Sequence, residues 1–149
     1  MKDPVQGNTS AKTQIRVTHR FSASAERVFE AWLEPARAGL WLFATPTGQR
    51  VRVEIDARVG GGFSIVERRD GEDVEHVGKY LEFERPRRLV FTFAVPKYSA
   101  DSDVVEVDIV PRDGGCELTL TQRLSPEWKE QTRQGWATLL ERLATVVGT

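Results

Sequence analysis

The sequence predicts an α+β fold: a curved antiparallel sheet of about six to seven strands wrapped around a long C-terminal helix, in the order β-α-α-β(6)-α. Three observations point there. Between Val51 and Leu120 apolar residues recur at every second position in short runs, and Asp70-Gly71 and Asp113-Gly114-Gly115 separate them. Period two is the signature of a half-buried strand, and turns this short force antiparallel pairing. From Trp128 to Val147 the apolar spacing becomes helical over about six turns. The 149 residues are 40% hydrophobic and 29% charged, enough for one sizeable core and too few for two.

Residues 1–12 are polar, with Pro4, Gly7, Asn8, Thr9 and Ser10, and read as a disordered tail; residues 13–149 read as a single domain. The first strand covers Gln14 to Phe21, with Ile15, Val17, His19 and Phe21 on one face. Ser24 is a good N-cap for the next helix, because its hydroxyl accepts an orphan backbone N–H. Ala25, Val28, Phe29, Trp32 and Leu33 give that helix an apolar face until Pro35 interrupts it, and a second short helix covers Ala36 to Leu42.

Val51, Val53 and Ile55 form the inward face of the second strand, which Gly60-Gly61-Gly62 ends in a turn or bulge. Phe63 to Arg68 follows, and Asp70-Gly71 turns the chain because both residues tolerate positive φ. Val74 to Phe83 is a longer strand of ambiguous phase: Val77, Leu81 and Phe83 face in with His76 and Tyr80 outside, unless a bulge reverses part of that. Pro86 suits the next turn. Leu89, Phe91, Phe93 and Val95 alternate, then Val105, Val107 and Ile109, then Cys116, Leu118 and Leu120. Pro126 opens the final helix after the candidate cap Ser125. Trp128, Thr132, Trp136, Leu139, Leu140, Leu143 and Val147 make its stripe. Gly135 inside this helix either admits a strand at close approach or leaves space beneath it.

Composition excludes several functions. The net charge of -1 argues against a dedicated nucleic-acid binder, and Arg85, Arg87 and Arg88 read as a solvated hairpin tip offset by Glu82 and Glu84. No run of about 18 apolar residues exists, so no membrane insertion is expected. No secretory signal is visible, and a cytoplasmic location is expected. The single cysteine, Cys116, rules out an internal disulfide and reads as a small core hydrophobe. His19 and His76 stand at no ligand spacing, so neither a metal nor another cofactor is expected. Ser64 and His76 are placed to meet across neighbouring strands, but no Gly-x-Ser-x-Gly elbow accompanies them. No catalytic residue is assigned.

The aromatics carry more information: Trp32, Trp41, Phe43, Phe63, Phe91, Phe93 and Trp136 fall on inward phases. They either fill a close-packed core or line a cavity between sheet and helix. Several segments resemble a known family. Val51 to Phe63 is similar to its strand–Gly-Gly–strand signature, and so are Gly78-Lys79-Tyr80-Leu81-Glu82-Phe83 and Pro86 to Phe93. Ala23 to Phe29 resembles its opening helix and Thr132 to Trp136 its closing one. The family is the domain related to the C-terminal part of the activator of heat-shock protein 90 ATPase, within the START-like (SRPBCC, Bet v-like) helix-grip superfamily. The resemblance covers about residues 14 to 147.

The resemblance implies a deep, mostly apolar pocket between the sheet and the last helix that binds a hydrophobic small molecule. Candidate wall residues are Trp41, Phe43, Phe63, Ile65, Phe91, Phe93, Trp136 and Leu140, with His76 and Tyr80 as polar groups that orient a ligand. A polyketide-cyclase- or hydrolase-like enzyme is the alternative, with His76, Tyr80 and Glu67 as its acid–base candidates. A chaperone-activating role is the third. Eukaryotic activators carry an additional N-terminal domain, and about twelve residues precede the first strand here, so chaperone contact is not carried over. A homodimer is compatible with the sequence, which sets no symmetry.

Overall fold

The computed structural model describes residues 12–148. The expected tail lies outside them except for Lys12, whose ammonium reaches Ser102 O at 3.4 Å and Asp103 Oδ1 at 3.2 Å. The chain order is β1 (Thr13–Phe21), α1 (Ala25–Ala31), α2 (Pro35–Ala38), β2 (Gln49–Ile55), β3 (Gly62–Arg69), β4 (Glu72–Glu84), β5 (Arg88–Phe93), β6 (Asp103–Arg112), β7 (Gly115–Leu124), a 3₁₀ turn (Pro126–Trp128) and α3 (Lys129–Val147). The seven strands form one antiparallel sheet in the order β1-β7-β6-β5-β4-β3-β2. This is the helix-grip architecture that the sequence predicts. Helix α3 lies against β1 and α1, with Trp136, Leu140, Leu143 and Val147 buried.

Local chemistry explains the element ends. Ser24 Oγ accepts the Arg27 N–H at 3.2 Å, the expected N-cap bond. Arg27 donates to Val147 O, placing a cation on the last carbonyls of α3. Asp70 and Gly71 take φ of 51° and 80°, the left-handed pair that a two-residue hairpin requires. Gly60 N donates to Tyr80 O and Tyr80 N to Gly61 O, so the glycine segment is a turn laced onto β4.

Several expectations are corrected. The second helix ends at Ala38 and the chain turns through 39–43 instead of continuing to Leu42. Ser125 makes no side-chain capping bond, and Trp128 is exposed, so the buried stripe begins at Trp136. Residue Val51 is an extra residue in the β2–β3 register, where Arg50 faces Glu67 and Arg52 faces Val66. The bulge turns Val51 outward and Arg50 to the same side as Val53 and Ile55. A second bulge at Leu81, between Tyr80 opposite Phe91 and Glu82 opposite Val90, settles the phase of β4. Ahead of it Val74, His76 and Tyr80 are buried; beyond it Phe83 packs on the core. Leu81 is exposed and Val77 only half-buried, which reverses the expected phase before the bulge.

Gly135 neither admits a strand nor roofs a space: it is exposed, and a Cβ built on it meets nothing within 4 Å. Gly135→Ala is therefore expected to stabilise the protein by about 1 kcal/mol through helix propensity alone. Urea unfolding checks this as a raised midpoint at unchanged m-value.

Candidate functional site

The concave face of the sheet and α3 enclose the predicted residues. All ten are drawn to one region. Nine are buried, and Phe93 is half-buried and packed against the others. The rings touch one another. Phe43 is the hub: it stacks on His76 (4.6 Å between centroids), Phe93 (4.8 Å) and Phe63 (5.9 Å), and meets Trp136 edge-on (5.8 Å). Offset stacking and edge contacts of this kind each add about 0.5–1.5 kcal/mol beyond area burial. Phe43 has φ of 57°, a left-handed conformation unusual for a bulky residue.

The turn at 39–48 that carries Trp41 and Phe43 is held by polar side chains from the sheet. Arg50 Nε donates to Gly39 O (3.0 Å) and Nη2 to Leu42 O (2.8 Å). Arg69 Nη2 donates to Phe43 O (3.0 Å). The Glu67 carboxylate accepts from Thr45 N (2.9 Å), Thr45 Oγ1 (3.0 Å) and Arg69 Nε (2.6 Å). Glu67 is 2% exposed. Burial alone would raise its carboxyl, but the bonds from Arg69 and Thr45 outweigh burial and hold it below the ordinary carboxylate range. Gly48 is required beneath this network, since a Cβ there would stand 2.3 Å from the Glu67 carboxyl carbon.

His76 joins the polar and aromatic groups. Its Nδ1 lies 3.1 Å from Ile65 O, an acceptor only, so Nδ1 carries the proton; Nε2 then accepts from Arg69 Nη2 at 3.4 Å. Burial pushes its pKa down to about 4; the Ile65 carbonyl opposes this and the Arg69 charge adds to it. Tyr80 is buried among Phe63, Phe83 and Phe91, and burial pushes its phenol up. Ser64 does not meet His76: it pairs with Val77 and donates to Glu75 Oε2 at 2.6 Å on the opposite face. Cys116 is buried, and burial raises its thiol. Arg85, Arg87 and Arg88 are engaged by Glu30, Glu84 and the trio Glu82, Glu106 and Asp108.

Three buried tryptophans differ in their N–H partners. Trp41 Nε1 donates to Ala31 O (3.0 Å), and Trp136 Nε1 donates to Gln122 Oε1 (2.7 Å), with Gln122 Nε2 in turn donating to Asp103 (3.0 Å). Trp32 is 2% exposed and lies against Trp41, Phe91 and Trp136, yet its Nε1 has no partner among the described residues. Sequence reasoning placed Trp32 on an inward phase but missed it as a polar group. It also missed Arg50, Arg69 and Thr45. Alternation carried no signal for Arg50, which the bulge at Val51 turns inward. Among the described residues no three of His, Cys, Asp and Glu converge as a metal-ligand set, and no helix is long and apolar enough to cross a membrane.

Two predictions follow from the polar groups. An unfolded His76 takes up its proton near the ordinary value of 6.5, whereas the folded one resists until about 4. The stability present above pH 6.5 is therefore lost as pH falls between 6.5 and 4, by about 3 kcal/mol. Urea unfolding across that range should show the loss, and His76→Phe should reduce it by that amount. Glu67→Gln leaves the Arg69 cation without its counter-charge and is expected to cost about 3 kcal/mol. Hydrogen exchange should quicken at the Thr45 amide in that variant, which a purely global effect would not single out.

Comparison with known proteins places this geometry. A protein from Chromobacterium violaceum of known structure is 27% identical and superposes with a TM-score of 0.83 over 91% of this chain and 97% of its own. The AHSA1-like protein from Aeromonas hydrophila is 22% identical with a TM-score of 0.77, over 91% and 92% of the two chains. CalU16 from Micromonospora echinospora is 22% identical with a TM-score of 0.71, over 92% and 77%. No curated protein matches the sequence. The model for the activator of Hsp90 ATPase homolog 1-like proteins matches residues 22–148, and the chain belongs to that family.

Proposed function

We propose that this protein binds a hydrophobic small molecule between the concave face of the sheet and α3, with the aromatic cluster around Phe43 as its wall. The observation that carries this reading is the Trp32 indole N–H, buried among apolar rings without an acceptor among the described residues. Leaving such a donor unpaired costs about 1–3 kcal/mol. Ligand sites are built in this way, from apolar walls with a few placed polar groups. A bound molecule with an acceptor atom would satisfy Trp32 and offset that cost. The other two buried indoles are already paired within the protein.

The rings are in contact in the conformation described, so binding requires them to part. Two features support such opening. Phe43 lies in a turn outside the sheet ladder, in a left-handed conformation that costs about 1–3 kcal/mol to maintain. Phe63 belongs both to the cluster and to the floor of an open depression of about 620 Å³, bounded by Asp56, Gly60 to Gly62, Gly78 and Lys79. Phe63 is the aromatic ring shared by that depression and the cluster.

A cyclase- or hydrolase-type enzyme would use the same inward groups. Glu67 is committed to Arg69 and Thr45, and burial makes His76 a weak base with a pKa of about 4, so neither is tuned for proton transfer near pH 7. Binding is the reading these facts favour. Stimulation of a chaperone ATPase belongs to the proteins for which the family is named.

Native mass spectrometry of freshly purified protein tests the proposal. The expected result is added mass that is lost on denaturation, together with saturable fluorescence of added N-phenyl-1-naphthylamine. The bare chain mass with no saturable fluorescence would overturn it.

A further inference from the structure

We infer that the ligand of this site is an amphiphile with a single anionic head group, seated at Arg50 beneath the 39–48 turn; the inference rests on the small-molecule reading above. Arg50 on β2 feels the charges of Arg69 on β3 and Arg142 on α3, against the single carboxylate of Glu67. Around Arg50 there are thus two further cations and one carboxylate, and the balance at that end of the interface is positive. Glu67 makes its bonds to Arg69 and Thr45 and none to Arg50.

Arg50 is the unsatisfied member. Its Nε and Nη2 are spent on Gly39 O and Leu42 O, but Nη1 is buried with no acceptor among the described residues. A guanidinium stays charged, so an unpartnered N–H₂ group out of water is costly until an acceptor arrives. The acceptor that the local charge selects is an anion. Its charge is expected to be single, because one nitrogen remains and Arg69 already spends Nε on Glu67 and Nη2 on Phe43 O. The body attached to it is expected to be apolar. Arg69 reaches His76, and His76 stacks face to face on Phe43, so the cationic end abuts the aromatic cluster directly.

A matched pair of fluorescent probes tests this. N-Phenyl-1-naphthylamine and 8-anilinonaphthalene-1-sulfonate share a skeleton, and only the second carries a sulfonate. The sulfonate is expected to bind at least about tenfold tighter, the effect of one hydrogen bond to a charged group. Arg50→Gln should bring the ratio near one. Arg142→Gln, at an exposed position with no bond to the turn, should lower it about two- to threefold. Circular dichroism checks that each variant folds; if Arg50→Gln does not, the Arg142 variant decides. Equal binding of the two probes, or a preference unchanged in the folded variants, overturns the anion site while the small-molecule reading stands. Saturable binding of neither probe overturns both.

Discussion

The buried carboxylate of Glu67 is the contact on which the functional region depends. It ties β3 to the 39–48 turn through two donors of Thr45, and it holds Arg69, which in turn pins Phe43 O. The aromatic cluster has no sheet ladder to position its hub; Phe43 stands where it does because this ionic latch fixes the backbone on either side of it. An ion pair with a buried carboxylate adds little or no stability over a well-packed apolar replacement. Its role here is geometric, aiming one ring at His76, Phe63, Phe93 and Trp136 simultaneously.

Two bulges shape the face that this latch works on. Each inserts one residue and inverts the inward phase of its strand. At Val51 the inversion delivers Arg50 to the interior; at Leu81 it lets His76 and Tyr80 share the interior with Phe83. Unbroken alternation would put Arg50 on the same side as Arg52 and Glu54, and would set His76 and Tyr80 on the face opposite Phe83. Gly78 on β4 belongs to the same design: a Cβ there would fall 1.8 Å from Thr92 O, and the Phe63 ring occupies the space a side chain would fill.

Among the described residues most buried side-chain polar atoms are paired, which makes the two exceptions informative. Buried native donors are nearly always paired, and local violations concentrate where function is. The unpaired atoms here are Trp32 Nε1 and Arg50 Nη1, one within the aromatic cluster and one at its cationic end.

Much of this was written in local pattern. Period-two runs, Asp70-Gly71, the Ser24 cap and the stripe from Trp136 to Val147 each rest on interactions within a few residues, so the sequence alone determined the α+β order, the family and the inward placement of Trp41, Phe91 and Leu140. The tertiary structure decided what depends on register between distant segments. The bulges at Val51 and Leu81 exist only relative to their partner strands, so neither the inward turn of Arg50 nor that of His76 was legible from alternation. Whether Trp32 finds an acceptor depends on residues up to a hundred positions away. The same holds for Glu67, whose partners at Thr45 and Arg69 become neighbours only when the turn folds down onto the sheet.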